Sequence, residues 1–88
     1  MTTPSLSVDL HGLRPEAALR RLSQALHTAR VRGASELLVI TGRGLGNRTQ
    51  QPVLRDKVER WLRGPDGRSL GVRAVERDKR GGALLARL

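Results

Sequence analysis

Residues 36–46 read Glu-Leu-Leu-Val-Ile-Thr-Gly-Arg-Gly-Leu-Gly. Leu37, Leu38, Val39 and Ile40 run without a polar break. A short apolar run of this kind predicts a strand buried on both faces. It stops at Thr41 and opens into Gly42-Arg43-Gly44-Leu45-Gly46. Glycines at alternate positions let the backbone turn sharply and expose N–H groups. A loop of that type with an arginine inside it suits an anion such as phosphate.

Working outward, the flanking segments supply helices and further strands. Leu6, Val8 and Leu10 alternate with Ser7 and Asp9, which predicts a half-buried strand. Residues 1–5 are polar and are expected to be disordered, leaving 6–88 as the domain. Pro15 sits where a first helical residue should. Leu19, Leu22, Leu26 and Ala29, with Ala18 and Ala25, then follow the helical period, and Gly33 closes that helix as its C′ residue. Beyond the glycine loop, Pro52 starts a second helix with Leu54, Val58, Trp61 and Leu62 on one face. Arg55, Asp56, Glu59, Arg60 and Arg63 alternate in sign along its exposed side. Gly64-Pro65-Asp66-Gly67 reads as a stop and turn. Leu70 to Glu76 reads as a third strand, Arg77 to Gly82 as a hairpin loop, and Ala83 to Leu88 as a last strand. The order is β-α-β-α-β-β, an α/β chain. Helical crossovers make the first three strands parallel, and the hairpin makes the last antiparallel. His11-Gly12, the glycine loop and the Arg77–Gly82 hairpin should then meet at one edge of the sheet, where ligands bind in open α/β sheets.

Eighty-eight residues make one domain with a modest core. There is no cysteine, which suits a reducing cytoplasm. The first residues show no basic region followed by an apolar run, and no apolar stretch approaches the roughly 20 residues of a membrane helix. The net charge is +9, from 17 Lys plus Arg against 8 Asp plus Glu. A small domain this basic is drawn to polyanions, most commonly nucleic acid. No helix carries a broad exposed apolar face, which argues against a membrane surface. Trp61 is the single aromatic, which argues against a base-stacking platform, and contacts should go mainly to phosphates.

One acid/base constellation stands out. Asp9 and His11 are two apart on a strand, so their side chains share a side. A zinc site wants three or four protein ligands, and the chain offers only this pair. A hydrated divalent cation, magnesium or manganese, held by Asp9 and substrate phosphate is compatible with it. The structural alternative makes Asp9 a turn residue that bonds backbone N–H groups, and His11 an ordinary histidine at a strand end. The glycine loop is neither a dinucleotide fingerprint, because position 47 is Asn, nor a Walker loop, because no Gly-Lys-Ser/Thr follows. No serine–histidine or cysteine nucleophile is apparent.

Val8-Asp9-Leu10-His11-Gly12 and Thr41-Gly42-Arg43-Gly44 resemble the two signature motifs of the Smr family, the small MutS-related domains. Their usual forms are Leu-Asp-x-His-Gly and Thr/His-Gly-x-Gly, so valine replaces the leading leucine. Pro52 before the second helix, Val53-Leu54-Arg55 and Gly81-Gly82 before the last strand also look like that family. The resemblance covers about residues 6–88. It implies a two-layer sandwich similar to the C-terminal domain of translation initiation factor three. In that fold the four-stranded mixed sheet has order 1-2-4-3, and both helices lie on one face. It implies an endonuclease on DNA or RNA, with some members linked to recombination control and some to ribosomes. Asp9 and His11 would be the catalytic or substrate-orienting pair, and Thr41 to Gly44 the phosphate-contacting loop. Long members carry a mismatch-repair-like ATPase, which this chain lacks; a stand-alone member and an excised domain both fit.

Two principal readings follow, with a third behind them. In the first, the chain is a monomeric endonuclease. Asp9 orients His11 or a metal-held water, His11 acts as general acid or base, and the loop N–H groups and Arg43 stabilise the phosphate. Gly12, Arg48, Arg77, Lys79 and Arg80 complete the substrate-binding set. In the second, the same basic edge only binds structured RNA, the ribosome or branched DNA. An adaptor for an acidic protein is the third.

Overall fold

The computed structural model describes residues 5–42, 51–78 and 82–88. In chain order it contains β1 (Ser5–Asp9), α1 (Pro15–Val31), β2 (Glu36–Ile40), α2 (Gln51–Arg63), α3 (Pro65–Ser69), β3 (Ala74–Arg77) and β4 (Ala83–Arg87). The four strands form one sheet in the order β1-β2-β4-β3. β1 runs parallel to β2, with Leu6 opposite Leu37 and Val8 opposite Val39. β4 is antiparallel to both β2 and β3. β1, β2 and β3 therefore point the same way, as the crossover argument requires.

Both long helices cover one face. From α1, Ala18, Leu22, Leu26 and Ala29 are buried; from α2, Leu54, Val58 and Leu62. All of these but Ala29 meet Leu37, Val39, Val75, Leu84 and Ala86 of the sheet in a single cluster. Fully burying a leucine contributes about 1.5–3 kcal/mol, so these side chains carry most of the fold's stability. The opposite face of the sheet is the more exposed one. Leu38, Ile40 and Leu85 there are half-buried, and Ser7, Asp9 and Glu76 are exposed. The reading of β2 as buried on both faces is thus corrected. A two-layer sandwich leaves its central strand one covered face, and flanking strands shield the other only in part.

α1 ends as the sequence predicts. Gly33 has φ +74°. Its N–H donates to the Arg30 carbonyl and the Ala34 N–H to the Ala29 carbonyl, the paired bonds of a Schellman motif. Ala34, just past the cap, is buried.

The segment after α2 departs from expectation. Gly64–Gly67 is not a simple turn: Pro65 begins the short helix α3, since its fixed φ suits a first helical position. The Val72 N–H donates to the Gly67 carbonyl. The third strand is correspondingly shorter and later than Leu70–Glu76, because residues up to Arg73 are needed to close this connection. Leu70 and Val72 instead pack on the core. A second correction concerns Glu59. The sign alternation along α2 places it with the exposed charges, yet it is buried. The Arg63 Nε donates to its Oε2 at 3.0 Å and the Arg77 Nε to its Oε1 at 2.9 Å.

Candidate functional site

The site is built on the end of β1. Leu10 is wholly buried, and its N–H continues the ladder to the Ile40 carbonyl at 2.7 Å. This anchor holds its polar neighbours Asp9 and His11 at the surface, at the edge where β1 and β2 finish. The chain then reverses. The Leu13 N–H donates to the Leu10 carbonyl, and Gly12, at the third position of this turn, has φ +78°. A type II turn needs a positive φ there, which a residue with a Cβ adopts only under strain. The turn delivers the chain directly into Pro15 and α1.

Within this turn Asp9 and His11 meet. His11 Nδ1 lies 2.5 Å from Asp9 Oδ1, and the His11 backbone N–H donates to the same oxygen at 3.0 Å. One oxygen of Asp9 thus closes an Asx-type turn and holds the imidazole. The hydrogen bond from the His11 side chain is the largest influence keeping the Asp9 carboxyl below its ordinary value. The backbone bond follows, and the charge of Arg21 on α1 adds a smaller part. Asp9 is thus a carboxylate at neutral pH. A carboxylate at Nδ1 favours the tautomer with the proton on Nδ1 and leaves Nε2 as the free base. Neither Nε2 nor Asp9 Oδ2 has a protein partner among the described residues. The pair is open to solvent, with side chains 63% and 52% exposed.

Thr41 and Gly42 follow the end of β2, one strand away from Asp9. Asp9 is opposite Ile40, and Ile40 opposite Ala83. Thr41 is buried, and Gly42 has φ +91°. Both backbone N–H groups donate to the Gly82 carbonyl at 3.0 Å. These two amides therefore stitch the loop's root to the start of β4. The loop residues Arg43 and Gly44, like Arg48, Lys79 and Arg80, lie outside the described residues. Arg77 reaches the same edge at the end of β3, but three strand spacings from β1, about 14 Å. Its side chain is engaged by Glu59 on the helix side.

The structure thus brings together Asp9, His11, Gly12, Thr41 and Gly42, and sets Arg77 apart. Sequence reasoning missed Arg21, whose charge acts on Asp9, and the tether formed by Gly82. It also missed Glu59, whose only signal was its i,i+4 spacing to Arg63. Among the described residues no group of three or more His, Cys, Asp or Glu could hold a metal. A cation here would depend on Asp9 together with substrate oxygens and water.

Comparison with known proteins gives a consistent answer. A Smr domain family model matches residues 8–88. The fold is similar to the crystal structure of the Smr domain of Thermus thermophilus MutS2, at 31% identity and TM-score 0.73, over 93% of this chain and 95% of that one. It is similar to the solution structure of the B3BP Smr domain, at 30% identity and TM-score 0.64, over 93% and 76%. It also resembles the solution structure of the SMR domain of NEDD4-binding protein 2, at 26% identity and TM-score 0.68, over 100% and 90%. No curated protein sequence matches.

Proposed function

Because this chain belongs to the Smr domain family, we propose that it is a small endonuclease, with Asp9 and His11 as its acid–base pair. Smr domains generally bind nucleic acids, and the family includes nuclease-related modules. The observation that supports cleavage most directly is the Asp9–His11 contact at the sheet edge. Asp9 fixes the ring, so Nε2 faces the reaction as a base. It would take a proton from the attacking hydroxyl or water, and imidazolium would return one to the leaving oxygen. Asp9 stabilises that imidazolium. The chain's excess of arginine and lysine would hold the phosphate backbone.

The test uses nicked, branched, duplex and single-stranded substrates of DNA and RNA, with and without EDTA. Wild type should cut at least one of them. Asp9→Asn should retain the fold, because an amide oxygen still accepts the His11 N–H. It should slow cutting by about 100-fold or more, as should His11→Ala. Wild-type rates in both variants would sink the catalytic assignment. A second reading is favoured by the exposure of the pair, since charges act more weakly where water is not excluded. In that reading the same edge binds nucleic acid without turnover, and every substrate is bound and none is cut.

A further inference from the structure

The edge of the sheet opposite Asp9 carries its own cluster of positive charge. Arg73 leads into β3, and its N–H donates to the Arg87 carbonyl at the far end of β4. Arg68 lies on α3, and Arg63 at the end of α2. These three arginines surround a cleft of about 280 Å³. Its walls also include Leu62, Val72 and Val75, all buried, and no acidic residue. Arg63 is fixed in place: its Nε donates to Glu59 and its Nη2 to the Val75 carbonyl, both at 3.0 Å. Arg68 and Arg73 have no carboxylate within ion-pair distance among the described residues.

The neighbouring hollow shows the contrast. It is larger, about 630 Å³, and also has three arginines in its wall, but Asp56 and Glu59 are there to neutralise them. The smaller cleft keeps the charges of Arg68 and Arg73, while that of Arg63 is shared with Glu59. A recess whose charged side chains are all of one sign concentrates the field and attracts a counter-ion. Guanidinium groups converging on one space match the oxygens of a phosphate in shape as well as charge.

The geometry points to a second phosphate-binding site here, formed by Arg68 and Arg73 with Arg63 as its fixed wall. Its ligand is a phosphodiester group of a bound nucleic acid. This inference rests on the nucleic-acid reading above and adds to it an anchor remote from the Asp9–His11 pair. The two are separated by at least the length of a five-residue strand, about 16 Å. A substrate touching both would span roughly five base pairs at about 3.4 Å each.

The experiment compares wild type, Arg68→Gln/Arg73→Gln and Arg68→Lys/Arg73→Lys. Salt dependence of duplex binding is read by fluorescence anisotropy, and amide chemical shifts are followed during titration with inorganic phosphate. Melting temperatures should agree among the three, since both side chains are exposed. The glutamine variant should bind more weakly, with a log–log salt slope shallower by about one unit. Lysines should restore the slope. In wild type, phosphate should shift amides within residues 68–75, and the glutamine variant should abolish this. An unchanged slope and affinity in the glutamine variant, with wild type binding well, would overturn the site. If wild type binds no nucleic acid, the nucleic-acid reading has failed. The phosphate titration then decides alone, and unshifted amides would overturn the cleft as an anion site.

Discussion

At the residue scale, Asp9 accepts two hydrogen bonds on one oxygen, from the backbone and the ring of the same histidine. Both favour its ionised form. Its folded-state value therefore lies below the ordinary carboxylate value of about 3.9, where the unfolded chain titrates. A depressed carboxyl contributes stability that is present above the unfolded value and is lost as pH falls through the folded one. Removing that carboxyl removes the contribution. Urea midpoints of wild type and Asp9→Asn should thus differ by a constant amount from about pH 5 upward, and converge as the pH drops below about 4. Curves that stay parallel down to pH 2 would mean that the ionised carboxylate does not stabilise the turn. The side chain's exposure keeps the effect small, because solvent screens the pair.

At the scale of elements, two glycines make opposite demands. Gly12 needs its left-handed φ, but a Cβ there would meet nothing within 4 Å. Gly67 lies within α3 and needs no left-handed φ. A Cβ would instead lie 2.1 Å from the Leu62 carbonyl oxygen, against backbone that cannot step aside. Gly12→Ala should cost about 1 kcal/mol, the strain of a positive φ. Gly67→Ala should cost more, about 2–3 kcal/mol, by forcing α3 off the end of α2. Chemical denaturation of both variants gives the comparison, and equal losses would refute the close packing of α3. The same contrast explains what could be read in advance. Pro15, the Leu22–Leu26 stripe and Gly33 announce α1 because each signal is local. Asp9 and His11 are legible as a pair because they are two residues apart. α3 was hidden because Gly64-Pro65-Asp66-Gly67 has turn chemistry: Pro65 suits a turn as well as a first helical position, and the close approach of Gly67 to the Leu62 carbonyl leaves no mark on the pattern. Glu59 was hidden for a related reason. Its partner Arg77 is 18 residues away, and its i,i+4 spacing to Arg63 does not set it apart from the exposed Asp56, which has the same spacing to Arg60.

On the scale of the whole molecule, charge is distributed in answer to folding as well as to ligands. Glu59 holds two guanidiniums that would otherwise be free to meet phosphate. Glu59→Gln should therefore make the protein less stable and a tighter binder together. The stability loss should be about 1–2 kcal/mol. Breaking a fully buried pair costs about 3–5 kcal/mol, but Arg63 and Arg77 are 53% and 63% exposed, so water takes up part of the loss. Affinity for duplex should rise, with a steeper salt dependence. Thermal melts and salt-series anisotropy on the one variant check both halves; a variant that melts lower and binds no better would confine Glu59 to a structural role.

β4 lies between β2 and β3, and among the described residues β3 has no other strand beside it. Chain order and spatial order therefore disagree at the centre of the sheet. During synthesis, residues 74–77 emerge before any strand that can pair with them. The β1–β2 pair forms without them, but the sheet stays divided until residues 83–87 arrive and enter the gap. Val39 and Leu37 keep one open flank until then, because Leu84 and Ala86 are the side chains that close it. The domain is thus completed from the inside by almost the last of its residues. Folding cannot run far ahead of translation, and the exposed flank of β2 is what a nascent chain must protect while it waits.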